Sequence, residues 1–130
     1  MEKIEIMLVD DEPEFLEIMG SVIKGWGYDL TPAAGGKEAI QIFKAKKPDI
    51  IVLDYLMPEM DGIATLKEIR KLDKKIPVIM FTAYPDKIIK ETEKLGISAL
   101  IPKLSTYSDV SASLKSTIDM IVKNIAKGSK

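Results

Sequence analysis

"IIVLDYLMPEMDG", residues 50–62, decides the fold. Four apolar residues, Ile50 to Leu53, run straight into an acid, Asp54. An unbroken apolar run with no polar alternation is the pattern of a strand buried on both faces. Such a strand lies inside a parallel sheet covered by two layers of helix. Its tip then sits at the carboxyl edge of the sheet, where open α/β folds gather their ligands. A carboxylate placed there asks for a partner elsewhere in the chain.

Outward from this stretch, short apolar runs alternate with amphipathic ones. "IEIMLV" (4–9) predicts a buried strand. "PEFLEIMGSVIKGWG" (13–27) predicts a helix, with Pro13 suited to its first position and Phe15, Met19, Val22, Ile23 and Trp26 at helical spacing. "YDLTP" (28–32) is a weaker strand near an edge, because Pro32 cannot donate to a ladder. "GGKEAIQIFKAKKP" (35–48) predicts a short helix with Ala39, Ile40 and Phe43 inward. "DIIVLD" (49–54) is the central strand. "DGIATLKEIRKLD" (61–73) is a helix opened by Asp61, with Ile63, Leu66 and Ile69 inward. "PVIMFT" (77–82) is a strand, and "PDKIIKETEKLG" (85–96) a helix stopped by Gly96. "SALIP" (98–102) is the last strand. Residues 107–126 form the longest helix, with Val110, Leu114, Ile118, Ile121 and Ile125 on one face. The expectation is α/β: one domain over residues 1–130, a doubly wound, five-stranded parallel sheet with five helices.

Composition narrows the function. The 130 residues suffice for one core, and 46% apolar with 30% charged residues reads as soluble and globular. A net charge of −1 gives no basic excess, so no direct nucleic-acid partner is expected. With no cysteine and no histidine, disulfides, thiolate zinc sites and Ser-His or Cys-His catalysis are excluded. The apolar runs are too short to span a bilayer and no signal peptide is visible, so the expected setting is the cytoplasm, away from membranes.

The strand ends carry the chemistry. The first strand ends in Asp10-Asp11-Glu12, the third in Asp54, the fourth in Thr82 and the fifth in Lys103. Each has an ordinary use: acids before a helix stabilise its N-terminus, threonine favours strands, and lysine reaches to water. Their joint occurrence on one edge, above apolar strand bodies, favours a site. Clustered carboxylates repel, and a divalent cation relieves the conflict. Mg2+ suits hard oxygen ligands and keeps waters that leave room for a phosphoryl oxygen. Asp54 can then attack phosphorus, with Lys103 and Thr82 steadying the transferred group. The product is an aspartyl phosphate.

With these residues in place the chain resembles the receiver domain of two-component response regulators, over residues 4–126. "LVDDEP" is similar to that family's acidic pair, "LDYLMPEMDG" to its phosphoacceptor block, "FTAY" to its hydroxyl strand end and "GISALIPK" to its lysine strand end, with Gly96 in the expected place. "GGKEAI" is similar to its entry to the second helix. The resemblance implies a flavodoxin-like sheet with strand order 2-1-3-4-5. It implies Asp54 as the phosphoacceptor, and Asp11, Asp54 and the backbone carbonyl of Leu56 as Mg2+ ligands, with Asp10 acting mainly through water. Thr82 and Lys103 would contact the phosphoryl oxygens, Ala83 would leave the approach open, and Pro58 and Gly62 would shape the loop. A histidine kinase or histidine phosphotransfer protein would be the donor, and an unknown downstream protein the target.

Two positions depart from the family. Leu100 stands where an aromatic switch residue is usual, with Tyr84 or Tyr107 as possible substitutes, and Leu104 follows Lys103 where a cis-linked proline is common. Leu56 and Tyr84 flank the expected phosphoryl position; being bulky and poor at orienting water, they imply slow self-dephosphorylation. Other readings stay open. A degenerate receiver used only for docking, or the receiver part of a longer hybrid protein, fits the same residues. A flavin or nucleotide domain of this architecture is disfavoured by the acidic loop after the first strand, which repels phosphate. An aspartyl phosphatase is disfavoured by Leu56, where a second carboxylate would be needed.

Overall fold

The computed structural model describes residues 3–103 and 107–128, with backbone only for 107, 108 and 126–128. The strands are β1 (Glu5–Val9), β2 (Asp29–Ala33), β3 (Ile50–Asp54), β4 (Val78–Thr82) and β5 (Ala99–Pro102). The helices are α1 (Pro13–Gly25), α2 (Gly36–Ala45), α3 (Gly62–Leu72), α4 (Pro85–Leu95) and α5 (Tyr107–Gly128). All strand pairs are parallel and the order is β2-β1-β3-β4-β5. The expected elements are all present, with ends displaced by a residue or two. β2 lies one place further along the chain than its apolar pattern suggests, because its register is set by β1 rather than by Tyr28.

The period of two sorts the strands onto two cores. Met7, Val9, Ile51, Leu53, Val78 and Met80 face α2, α3 and α4. Ile6, Leu8, Ile50, Val52, Ile79, Phe81 and Ile101 face α1 and α5. That alternation makes β3 and β4 apolar at nearly every position, since both faces are dry. The outer strands β2 and β5 are partly exposed, as edges should be.

The helices end by ordinary chemistry. Asp61 caps α3 by accepting from the Ala64 N–H at 2.8 Å. Gly96 closes α4 at φ 74°, a left-handed turn that glycine takes without strain. Of the 19 basic residues only Arg70 is arginine. Its guanidinium donates to the carbonyls of Leu95 (2.7 Å), Ile76 (2.9 Å), Gly96 (3.1 Å) and Asp73 (3.2 Å). The end of α4 is thereby tied to α3 and to the turn into β4, a task that needs a planar fork of donors.

Candidate functional site: the carboxyl edge of the sheet

Register brings the acids together. Val9 lies opposite Leu53, so Asp10, one residue on, continues beside Asp54. Asp54 in turn pairs with Phe81, which pairs with Ile101. Asp10, Asp54, Phe81 and Ile101 thus form a row across the sheet, and Lys103 follows two residues beyond Ile101. Asp10 is fully buried and Asp54 is 3% exposed. Carboxylate oxygens of Asp10, Asp11 and Asp54 all lie within 4.8 Å of one another.

Lys103 is drawn across this cluster. Its ammonium stands 3.2 Å from Asp10 Oδ2, 3.2 Å from Glu12 Oε1 and 3.6 Å from Asp54 Oδ2. Its own backbone N–H donates to the Thr82 carbonyl at 2.6 Å, which fixes the end of β5 against β4. The Glu12 N–H donates to Asp10 Oδ1 at 2.9 Å, so the turn into α1 holds that carboxylate in place. Glu12 belongs to the acidic run, yet its pairing with Lys103 is not legible in the sequence: an exposed acid at a helix start has the same appearance whether or not a lysine reaches it.

The electrostatics follow from crowding. Burial pushes the Asp54 carboxyl up to about 7, and the charges of Asp10 and Asp11 add to that, against the pull of Lys103. Burial also raises Asp10, with Lys103 and the Glu12 N–H opposing. Burial works against the Lys103 charge, but Asp54 and Asp10 outweigh it and hold the ammonium above its usual range.

Asp54, Lys103, Glu12, Leu56, Ala83 and Tyr84 line a cleft of about 220 Å³. Leu56 and Tyr84 form its exposed rim, at 63% and 53%. Asp11 opens onto an adjoining hollow of about 230 Å³ with Gly36, Pro58 and Met60. Thr82 is placed differently. It is buried, and its hydroxyl accepts the Tyr84 N–H at 2.9 Å, within its own loop. Leu100 is half-buried and packs on the core beneath α3 and α4. Leu104 lies outside the described residues, as does the side chain of Tyr107.

The loop after β3 is tight. The Met60 N–H donates to the Pro58 carbonyl at 2.7 Å around Glu59, whose φ is 66°. This is a strained γ-turn in a non-glycine residue. Gly62 donates to the Tyr55 carbonyl at 2.7 Å. A Cβ there would stand 2.5 Å from the Asp54 carbonyl oxygen, so only glycine lets α3 start this close to the acid.

A doubly wound sheet that ends in crowded acids with one lysine drawn across them defines a class: phosphoacceptor signalling modules. The chain belongs to the response regulator receiver domain family, whose model matches residues 6–115. It is 34% identical over 118 residues to the transcriptional regulatory protein ZraR of Escherichia coli (strain K12), covering 90% of this chain and 27% of that protein. It is 35% identical over 124 residues to the probable transcriptional regulator ycf27 of Porphyridium aerugineum, covering 95% of this chain and 51% of that one. The chain therefore spans about a quarter to a half of these curated relatives. Among solved structures, the response regulator protein TrrA of Thermotoga maritima in complex with Mg2+ and BeF is similar at TM-score 0.75. It is 27% identical, and the match covers 88% of this chain and 98% of that one. Among the described residues no helix is long and apolar enough to cross a membrane.

Proposed function

We propose that Asp54 takes a phosphoryl group from a phosphohistidine on a histidine kinase or histidine phosphotransfer protein. The observation that carries this reading is the Lys103 ammonium, 3.2 Å from Asp10 and 3.6 Å from Asp54 at the mouth of one cleft. An Asp54 oxygen forms the new bond to phosphorus as the bond to the imidazole nitrogen breaks, and the freed nitrogen keeps the electron pair. Lys103 neutralises charge on the transferred oxygens, which is the main requirement of phosphoryl transfer.

The donor set fits Mg2+. Three carboxylates whose oxygens lie within 4.8 Å of one another offer the hard oxygen donors this ion takes. Asp10, Asp11, Asp54 and the Leu56 carbonyl would hold it, and it would supply positive charge that keeps Asp54 ionised near neutral pH. The TrrA relative, solved with Mg2+ and BeF, supports this assignment.

Thr82 supplies the switch. Its hydroxyl turns from the Tyr84 N–H toward the phosphoryl group, and the first turn of α4 loses a tie. Leu100 already packs inward, so no aromatic swing accompanies the change. Ala83 leaves the approach open, while Leu56 and Tyr84 shield the phosphate from water and make its loss slow. The reorganised surface is read by a downstream protein. Nucleic-acid binding, where a longer protein has it, belongs to segments outside this match.

Mass spectrometry after incubation with acetyl phosphate and Mg2+ tests the reading. The native chain gains the mass of one phosphoryl group and Asp54→Asn gains none. An unchanged native mass, or equal uptake by the variant, refutes it.

A further inference from the structure

We infer that Phe15 and Phe81 are positioning residues, a paired aromatic seat that sets where the Lys103 ammonium stands. The inference rests on the reading of Lys103 as the group that neutralises the transferred phosphoryl oxygens.

The geometry comes from two distant segments. Phe15 lies in the first turn of α1 and Phe81 lies in β4, directly opposite Asp54 in the ladder. Both are 1% exposed. Their ring centroids are 5.3 Å apart, tilted by 32°, an attractive arrangement for two aromatic rings. Lys103 Nζ stands 4.8 Å from the Phe15 centroid and 5.3 Å from the Phe81 centroid. A cation within about 6 Å of a ring face is attracted by the ring's electron density.

A lysine has four rotatable bonds and a compact charge, so carboxylates alone do not fix its position. Charged partners also compete: Asp10, Glu12 and Asp54 pull the same ammonium in different directions. The rings act from below. They attract the charge without claiming a directed N–H, so all three ammonium donors stay available to oxygen. They also belong to the packed core under the sheet, which makes the seat rigid. Two leucines would keep the floor apolar under the aliphatic stem, yet would offer the charge nothing.

Nuclear magnetic resonance provides the direct test. Ring currents shift the Lys103 methylene protons beside Nζ upfield in the native chain, and the shift disappears in Phe15→Leu/Phe81→Leu. In the same double variant, phosphorylation by acetyl phosphate at saturating Mg2+ slows about three- to tenfold, while Mg2+ affinity is unchanged. Urea unfolding verifies that the variant is folded; if it is not, Phe15→Leu alone carries the comparison. Methylene shifts that are the same with and without the rings overturn the inference, as does a folded variant phosphorylated at the native rate. If the native chain takes up no phosphate, the proposed function fails, and the proton shifts still decide whether the seat exists.

Discussion

The two ends of the sheet treat their acids in opposite ways. At the amino end, Glu5, Asp73 and Asp119 are each matched to donors. Glu5 accepts from the Thr31 hydroxyl at 2.6 Å and pairs with Lys46 at 3.1 Å. Asp73 accepts from the backbone N–H groups of Lys75 (2.7 Å) and Ile76 (2.9 Å) and pairs with Lys47. Asp119 accepts from the Tyr28 hydroxyl and from Lys115, each at 2.7 Å. All three are held below the usual carboxylate range: Glu5 by Thr31, Asp73 by Lys47 and its backbone donors against the cost of burial, and Asp119 by Lys115. At the carboxyl end Asp10 and Asp54 are raised, because burial, joined by repulsion from Glu12 at Asp10 and from Asp10 and Asp11 at Asp54, exceeds what Lys103 returns. Matched acids stabilise a fold, whereas crowded acids store a conflict that a cation or a phosphoryl group resolves.

Removing Lys103 is the sharpest way to break this contrast. Lys103→Met leaves two buried acids without the cation that touches both. Phosphorylation from acetyl phosphate should fall by about 100-fold or more, since a preorganised charge on the transferred group is lost. Without metal at pH 8 the fold should lose about 3 kcal/mol, the scale for stripping one partner from a buried ion pair. At pH 5, where Asp54 holds its proton, the loss should be smaller. Urea unfolding at the two pH values measures both, and a loss that is the same at pH 5 and pH 8 would contradict the electrostatic account.

How much of this was legible beforehand follows from which forces are local. The apolar runs of β3 and β4 and the helical spacing in α1, α3 and α5 state burial directly, so the elements could be read residue by residue. The convergence of Asp10, Asp54 and Lys103 followed from the rule that ligands gather at strand ends. What the sequence does not display is lateral register. The place of Phe81 beside Asp54 depends on pairing between β3 and β4, and Phe15 beneath Lys103 depends on how α1 packs; in the chain both read as ordinary core residues. The hydrogen bond from Tyr84 to the Thr82 hydroxyl is likewise hidden, since a strand-ending threonine has the same letter whichever way it turns.

The pH dependence of stability sharpens the comparison at intermediate scale. The folded Asp54 carboxyl titrates near 7, against about 3.9 when unfolded. Between these values the folded state binds the extra proton, so metal-free stability declines as pH rises from about 4 to 7, and Asp10 adds to the same slope. The effect is on the order of a few kcal/mol. Mg2+ binds the ionised form, so saturating Mg2+ should stabilise the protein most at the upper end of this window. Asp54→Asn should be more stable than the native chain at pH 7.5 without metal, and its slope should be shallower. Thermal melts across pH 4–8, with and without Mg2+, measure the slopes. A metal-free native stability that climbs through this window would show that Asp54 is not in conflict with its neighbours.

Asp73 at the opposite end supplies the smallest effect and the control. Asp73→Ala removes an acceptor from the N–H groups of Lys75 and Ile76 in the turn that delivers the chain to β4. It also frees Lys47. The expected cost is about 1–2 kcal/mol, typical of a carboxylate serving two backbone donors. Its sign with pH is opposite to that of Asp54. A lowered carboxyl contributes stability that is complete above its unfolded value and is lost as pH falls through the folded one, so native chain and variant should converge in acid, below about pH 3.9. Arg70 still reaches the Asp73 backbone carbonyl in the variant, because that contact does not use the side chain. Phosphorylation by acetyl phosphate should therefore proceed at the native rate. A variant that loses both stability and phosphoryl uptake would mean that the two ends of the sheet are coupled rather than separately built.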